Sequence, residues 1–275
     1  MPRAPLRAVV AVVCVCAATA AYGQFRGGGG FRRVPPRLPT SDSFDGRYNF
    51  CRLMYQSAYR EEGGQGWSTD YPDADINFSI RLGELTKTPI KLDRQGDPEF
   101  LVLPVMNPLL FRCPWAIVED AGTAQFDDEE VEQLRSYLLK GGFLWVDDFW
   151  GSQAWESWVA EISRVLPPGQ YPLLDIPHDH AIFRTLFEVE RIPQIPSIQY
   201  WRRLGGGTSE RGRDSAEVHF RGIADERGRL MVVMTHNTDI ADGWEREGED
   251  PQYFYSFSPN SYAVGINMML YVMSN

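Results

Sequence analysis

The chain has 275 residues, a net charge of −10 and 43% hydrophobic residues. That balance excludes a disordered polymer and a basic nucleic-acid binder, so no nucleic-acid partner is expected. It suits one large soluble domain.

The N-terminal residues read as an address. Arg3 and Arg7 form a basic region, Ala8 to Ala20 is apolar, and Ala21-Tyr22-Gly23 places small residues before a cleavage point at Gln24. Residues 1–23 are therefore expected to be a signal peptide of a secreted or periplasmic protein. The apolar run falls short of the about 20 residues of a membrane span, so membrane association is expected only if this segment stays uncleaved. Cys14 and Cys16 would leave with it; Cys51 and Cys113 remain, either as one disulfide or as two buried thiols. Residues 24–43, rich in Gly, Pro and Arg, read as a disordered tether, and residues 44–275 as a single α/β domain.

Tyr48 to Tyr55 alternates as a first strand does, and Glu61 to Gly66 is a loop. A polar and aromatic cluster from Trp67 to Asp75 follows. The apolar positions between Ile76 and Leu85 fit a helix that Asp73 or Asp75 caps. Phe100 to Met106 is a second strand, with Asn107 near its carboxyl end. The stretch Phe126–Ser152 then reads as a complete unit. Asp127 and Glu130 form a capping box, Val131, Leu134 and Leu138 make an apolar stripe, and Gly141-Gly142 ends the helix. Phe143-Leu144-Trp145-Val146 is apolar without alternation, as a strand covered on both faces is. The unit completes a strand, crossover and strand of the kind that builds parallel sheets.

From Ser152 a helix carries Trp155, Trp158, Val159, Ile162 and Val165 at helical spacing and stops at Pro167-Pro168-Gly169. In the turn Pro177-His178-Asp179-His180 the two His lack a third ligand at a diagnostic spacing; no metal and no cofactor is assigned. Ile198 to Trp201 is a short strand candidate, and Gly205-Gly206-Gly207 opens a loop. Val218–Ile223 and Leu230–Met234 pair as a hairpin, and Tyr262–Met273 is a closing helix.

In open α/β sheets ligands bind beyond the carboxyl ends of the strands. On that rule Asn107, Asp147, Asp148, His236, Asn237 and Asp239 share one rim. Ser152 and Asp242 border it, and Trp150 and Trp244 either stack on a ligand or lid the core. Asp147, Asp148, His236 and Asp239 are the catalytic candidates, since acid/base chemistry and cation binding both need carboxylates and an imidazole within reach. The alternative is that one acid of the Asp147-Asp148 pair caps the next helix.

The blocks WSTDYPDADINFSIRLGELT, FDDEEVEQLRSYLLKGGFLWVDDFWGS, PHDHAIF, HNTDIADGW and SYAVGINMMLYVMSN resemble the uncharacterised bacterial family known as domain of unknown function 4159. The resemblance covers most of residues 47–275. It implies a three-layer α/β sandwich with a mainly parallel sheet, flavodoxin-like and similar to class I glutamine amidotransferases. Those enzymes carry a nucleophilic Cys at a strand-to-helix elbow, where this chain has Asp147-Asp148, so amidotransferase activity is not expected. The expected role is a non-catalytic protein of the cell envelope that binds an unidentified ligand or envelope partner. The alternative is a metal-assisted or carboxylate-based hydrolase acting on a glycan or ester.

Overall fold

Helical and extended periods alternate along most of the chain, and the structure follows them. It is a computed structural model that describes residues 34–61 and 63–274; the signal-like segment and residues 24–33 of the expected tether lie outside the described residues. In chain order the main elements are β1 Phe50–Met54, β2 Gln56–Ser57, α1 Asp73–Thr86, β3 Phe100–Pro104, β4 Trp115–Val118, β5 Ala124–Gln125, α2 Asp128–Leu139 and β6 Phe143–Val146. They continue with α3 Gly151–Val165, β7 Leu173–Asp175, α4 Ile198–Arg203, β8 His219–Ala224, β9 Leu230–His236, α5 Asp242–Glu245 and α6 Pro251–Ser274.

Seven strands form one sheet in the order β3-β1-β4-β6-β9-β8-β7. The first five are parallel, while β8 runs antiparallel to β9 and β7 antiparallel to β8. Helices cover both faces. Leu144 and Val146 of β6 enter one core with Leu134 and Leu138 of α2 and Trp158 and Ile162 of α3. Phe143 and Trp145 enter the other, with Phe78 and Leu82 of α1, Trp244 of α5 and Tyr253 and Met268 of α6. Burial on both faces is why β6 reads as a continuous apolar run. Among the described residues no helix is long and apolar enough to cross a membrane.

Local chemistry explains the element boundaries. The capping box at the start of α2 is formed: Asp127 accepts from the Glu130 N–H, and Glu130 accepts from the Asp127 N–H. Four expectations are corrected. Helix α1 starts behind Pro72 with no side-chain cap, because Asp75 turns into the core to meet Arg52. Residues 198–201 are helical, not extended, since Ser197 caps them through the Tyr200 N–H. Helix α6 begins at Pro251, well before Tyr262, with Asp250 accepting from the N–H groups of Gln252 and Tyr253. Residues 35–43, read from sequence as tether, lie against the domain: the Arg37 carbonyl accepts from Val102 N–H of edge strand β3 at 2.9 Å, and Arg37 also pairs with Asp93.

Cys51 and Cys113 form a disulfide that joins β1 to the turn before β4, across 62 residues of sequence. Both are buried in the same core as α2 and α3. Closing a loop of this length stabilises a fold by roughly 4 kcal/mol. Replacing both with Ala is expected to lower the unfolding free energy by about 2–5 kcal/mol in guanidinium titrations, and an unchanged midpoint would refute a structural role for the bond.

Candidate functional site

Strand order places a switch point inside the sheet. The chain leaves β1 through α1 to edge strand β3, and leaves β4 through α2 to β6, on the opposite face. Neighbouring strands β1 and β4 therefore send their connections in opposite directions, which opens a crevice at their carboxyl ends. The central strands end in acids there. Glu119-Asp120 follows β4, Asp147-Asp148 follows β6, and Val118 pairs with Val146 in the parallel register. The Asp147 N–H donates to the Val118 carbonyl at 2.9 Å, which holds the two acidic pairs level.

The pleat sends alternate residues to opposite faces. Glu119 and Asp147 continue the face of Ile117 and Trp145, toward α1 and α5, where Asp70, Asp239 and Asp242 join them. One oxygen each of Asp70, Glu119 and Asp239 lie within 4.8 Å of one another, and the same holds for Asp70, Asp242 and Glu245. Asp147 is tied into this wall. Its Oδ1 accepts from the Thr235 hydroxyl at 2.5 Å, and its Oδ2 accepts from the Ile240 and Ala241 N–H groups at 2.8 and 3.1 Å. Glu119 differs sharply: it is fully buried and neither of its oxygens accepts a hydrogen bond. The Oδ2 atom of Asp70 is likewise without a donor.

Two arginines stand among these acids. Arg52 is fully buried in β1, with its guanidinium 2.5 Å from Asp75 and 3.9 Å from Glu119. Its Nη1 donates to the carbonyls of Trp67 and Thr69, which fixes the loop that carries Asp70. Arg246 Nε lies 2.5 Å from Glu245 and 3.6 Å from Asp242. Replacing Arg52 with Met leaves Asp75 buried and uncompensated; a loss of about 3–5 kcal/mol is expected, measurable by denaturant unfolding.

Backbone strain collects at the same place. Asp70, Asp120, Asp148 and Asn237 all have φ between 48° and 65°, and each follows a strand or lies in the crevice loop. Non-glycine residues in the left-handed region cluster at functional sites. Gly151, at φ 79°, completes the turn from β6 into α3, where a Cβ would meet the Asp214 carboxylate at 2.5 Å.

The structure divides the residues expected at the rim. Asp147, Asp239 and Asp242 are brought to the crevice, while Asp148 stands at its edge on the α3 side, within electrostatic reach of Asp70 and Glu119 and bonded to the Trp150 indole. His236 is not brought there, because Thr235 takes the crevice face and the next side chain points the other way. It stacks between Phe149, Trp155 and His219, and its Nε2–H donates to the Gly151 carbonyl at 3.0 Å. Burial pushes its pKa down to about 4, so it is neutral and distant in role from the acids. Asn237 is a clamp, accepting from Gly151 N–H and donating to the Glu217 carbonyl. With Asp214, which accepts from Ser152 N–H and Oγ, it satisfies the start of α3, so neither Asp147 nor Asp148 is the cap. Ser152 is thereby committed to that exposed cap.

Asn107 lies beyond edge strand β3 and caps its own turn through Leu109 N–H. Trp244 is fully buried against Phe78 and Trp145, and Trp150 is 5% exposed with its indole N–H on Asp148, so neither offers a ring face to a ligand. His180 serves the turn, accepting from Ile182 N–H, and neither His178 nor His180 joins a three-ligand group among the described residues. A groove of about 1160 Å³ lined by His178, Phe183, Arg191, His219 and Phe257 lies elsewhere and shares none of the clustered acids. Sequence reasoning missed Asp70, Glu119, Asp120, Glu245 and the two arginines. The signal for the second acidic pair was present: Trp115-Ala116-Ile117-Val118-Glu119-Asp120 repeats the pattern of Phe143–Asp148, a buried strand ending in two acids.

Burial, reinforced by neighbouring carboxylates, raises Glu119, Asp148 and Asp239 well above the usual carboxylate range. Burial likewise lifts Asp120 and Asp147 to about 7 and Asp242 to about 8. A carboxyl whose pKa is higher folded than unfolded favours the fold fully below about pH 4, and that contribution is lost as pH rises through the folded value. In chelator-treated protein, stability is expected to fall between about pH 5 and 9, by up to about 1.4 kcal/mol per pH unit for each net proton. Urea titrations across that range test this; a flat or rising profile contradicts it.

None of the curated proteins matches this sequence. One family model does, over residues 49–273, and its span takes in β1 through nearly all of α6 together with every acid of the crevice. The chain belongs to the family described as "Domain of unknown function (DUF4159)".

Proposed function

We propose that this is an extracytoplasmic binding domain of the cell envelope, with a flavodoxin-like sheet whose switch-point crevice takes a positively charged ligand. The observation that carries this reading is Glu119, fully buried, with no hydrogen-bond donor and with Asp70 and Asp239 beside it. A buried carboxylate without donors is costly, and a cation is its natural complement. The architecture is argued from strand order: the parallel strands β1, β3, β4, β6 and β9, numbered one to five along the chain, lie in the order 2-1-3-4-5, which is that of flavodoxin-like sheets. The compartment is argued from the Cys51–Cys113 disulfide, since such bonds persist where the surroundings are oxidising, and from the signal-like N-terminus. Amidotransferase chemistry has no support, because the β6–α3 elbow carries Asp148 and both cysteines of the domain are bonded to each other.

A second reading has one specific observation behind it. Asp148 is partly exposed, holds a left-handed backbone at the elbow, and its carboxyl is raised well above the usual carboxylate range by burial and by the neighbouring acids. These are attributes of a general acid in a glycan or ester hydrolase. Nitrophenyl esters and glycosides turned over by the wild type and not by Asp148→Asn would favour it.

Binding is tested by thermal melts at pH 8 with calcium, magnesium, manganese, spermidine and glucosamine oligomers. At a hundredfold excess over Kd a ligand adds about 2.7 kcal/mol, or about 5–10 °C for a domain of this size. At least one cation is expected to give such a shift in the wild type and not in Glu119→Gln. No response to any of them would sink the reading.

A further inference from the structure

The crevice holds two overlapping carboxylate triads that share Asp70, and they differ in what already balances them. In the triad Asp70, Asp242 and Glu245, Arg246 supplies the positive charge, with Nε 2.5 Å from Glu245 and 3.6 Å from Asp242. Asp242 is also engaged through the N–H of Ile198 at 3.0 Å. In the triad Asp70, Glu119 and Asp239, the residues are 8%, 0% and 4% exposed, and Glu119 accepts no hydrogen bond from any described group. Arg52, at 3.9 Å, is the cation beside Glu119, and its guanidinium is directed mainly at Asp75 and the loop carbonyls.

We infer that the triad of Asp70, Glu119 and Asp239 binds one hard divalent metal ion of the calcium, magnesium or manganese class, each residue giving one carboxylate oxygen. The inference rests on the cationic-pocket reading above and names its ligand. Three oxygens within 4.8 Å of one another surround a point no more than about 2.8 Å from each, so a small inward shift reaches the about 2.3–2.6 Å of calcium–oxygen contacts. The donors are oxygen alone, which suits hard cations and not zinc or copper. Charge favours a dication: Arg52 is already paired with Asp75, so the three carboxylates keep up to three negative charges, of which a divalent ion offsets two and an ammonium one.

The three ligands come from separate elements that are fixed without the ion. Arg52 holds the Asp70 loop by two backbone carbonyls, the β4 register places Glu119, and Asp147 holds the N–H groups of Ile240 and Ala241 just after Asp239. Asp147 is therefore a positioning residue and not a ligand.

The experiment is isothermal titration of the chelator-stripped chain with calcium, magnesium and manganese salts, paired with the spermidine melt. One ion per chain is expected. Affinity is expected to fall by more than about 100-fold in Glu119→Gln and in Asp239→Asn, since even outer-shell changes cost about 10–100-fold. Glu245→Gln, which removes a carboxylate already paired with Arg246, is expected to leave affinity within about threefold. If the variants fail to fold, terbium luminescence excited through the tryptophans of the wild type, displaced by calcium at one equivalent, replaces them. Its absence overturns the inference. Stabilisation by spermidine with no metal binding overturns the metal and leaves the cationic pocket standing; no binding by either removes both. Loss with Glu245→Gln and not with Glu119→Gln also overturns the assignment, because the ion would then belong to the other triad.

Discussion

The crevice depends on Arg52. A guanidinium with no solvent exposure in the middle of a parallel strand is costly unless its donors are met, and here three different parts of the chain meet them. Asp75 on α1 takes the paired contact, Trp67 and Thr69 take Nη1 through their carbonyls, and Glu119 after β4 lies within ionic range. One side chain thus joins the first strand, the first helix and the strand on the other side of the switch point. Burial drives the Asp75 carboxyl up while Arg52 pulls it back, so the pair keeps its charge only as a pair. The Asp70 loop is shaped by this arrangement, since the two carbonyls that Arg52 holds lie just before Asp70.

The remaining acids follow from sheet geometry. Parallel strands in register, each ending in two acids, send the first acid of each pair to the α1 face and the second to the α3 face. The pairs consequently serve different ends. Glu119 and Asp147 face the crevice with Asp239, while Asp120 accepts from Gly66 N–H and Asp148 from the Trp150 indole. Left-handed backbone at Asp120, Asp148 and Asn237 lets the chain turn sharply after each strand, using residue types that tolerate this conformation.

This division explains what was legible in the sequence. The α2–β6 unit could be read residue by residue because its signals are local: a capping box, an apolar stripe, a glycine stop and a short buried run. Strand β4 is as short as β6 but follows a short turn at Pro108–Arg112 instead of a capped amphipathic helix, so its acids went unread although they repeat the ending of β6. His236 and Trp244 are polar or amphipathic residues near a strand end, and polarity alone does not reveal facing. Counting alternation from buried Val233 would have sent Thr235 to the crevice and His236 to the α3 side. Asp70 and Arg52 were beyond reach for another reason, because their roles come from a tertiary contact between a strand and a loop that no periodicity encodes.

The contrast between Asp147 and Glu119 carries the functional argument furthest. Both are fully buried, sit at equivalent positions after neighbouring strands and experience the same field of surrounding acids. Asp147 is met by a hydroxyl and two backbone N–H groups, the means by which folds ordinarily accommodate a buried carboxylate. Glu119 receives no such donor, although Tyr55 donates to its own backbone carbonyl at 2.6 Å. A network serving stability alone would gain from supplying both residues alike. Of the two, Glu119 at the switch point, beside Asp70 and Asp239, keeps both oxygens without a hydrogen-bond donor, and the proposed cation site rests on that asymmetry.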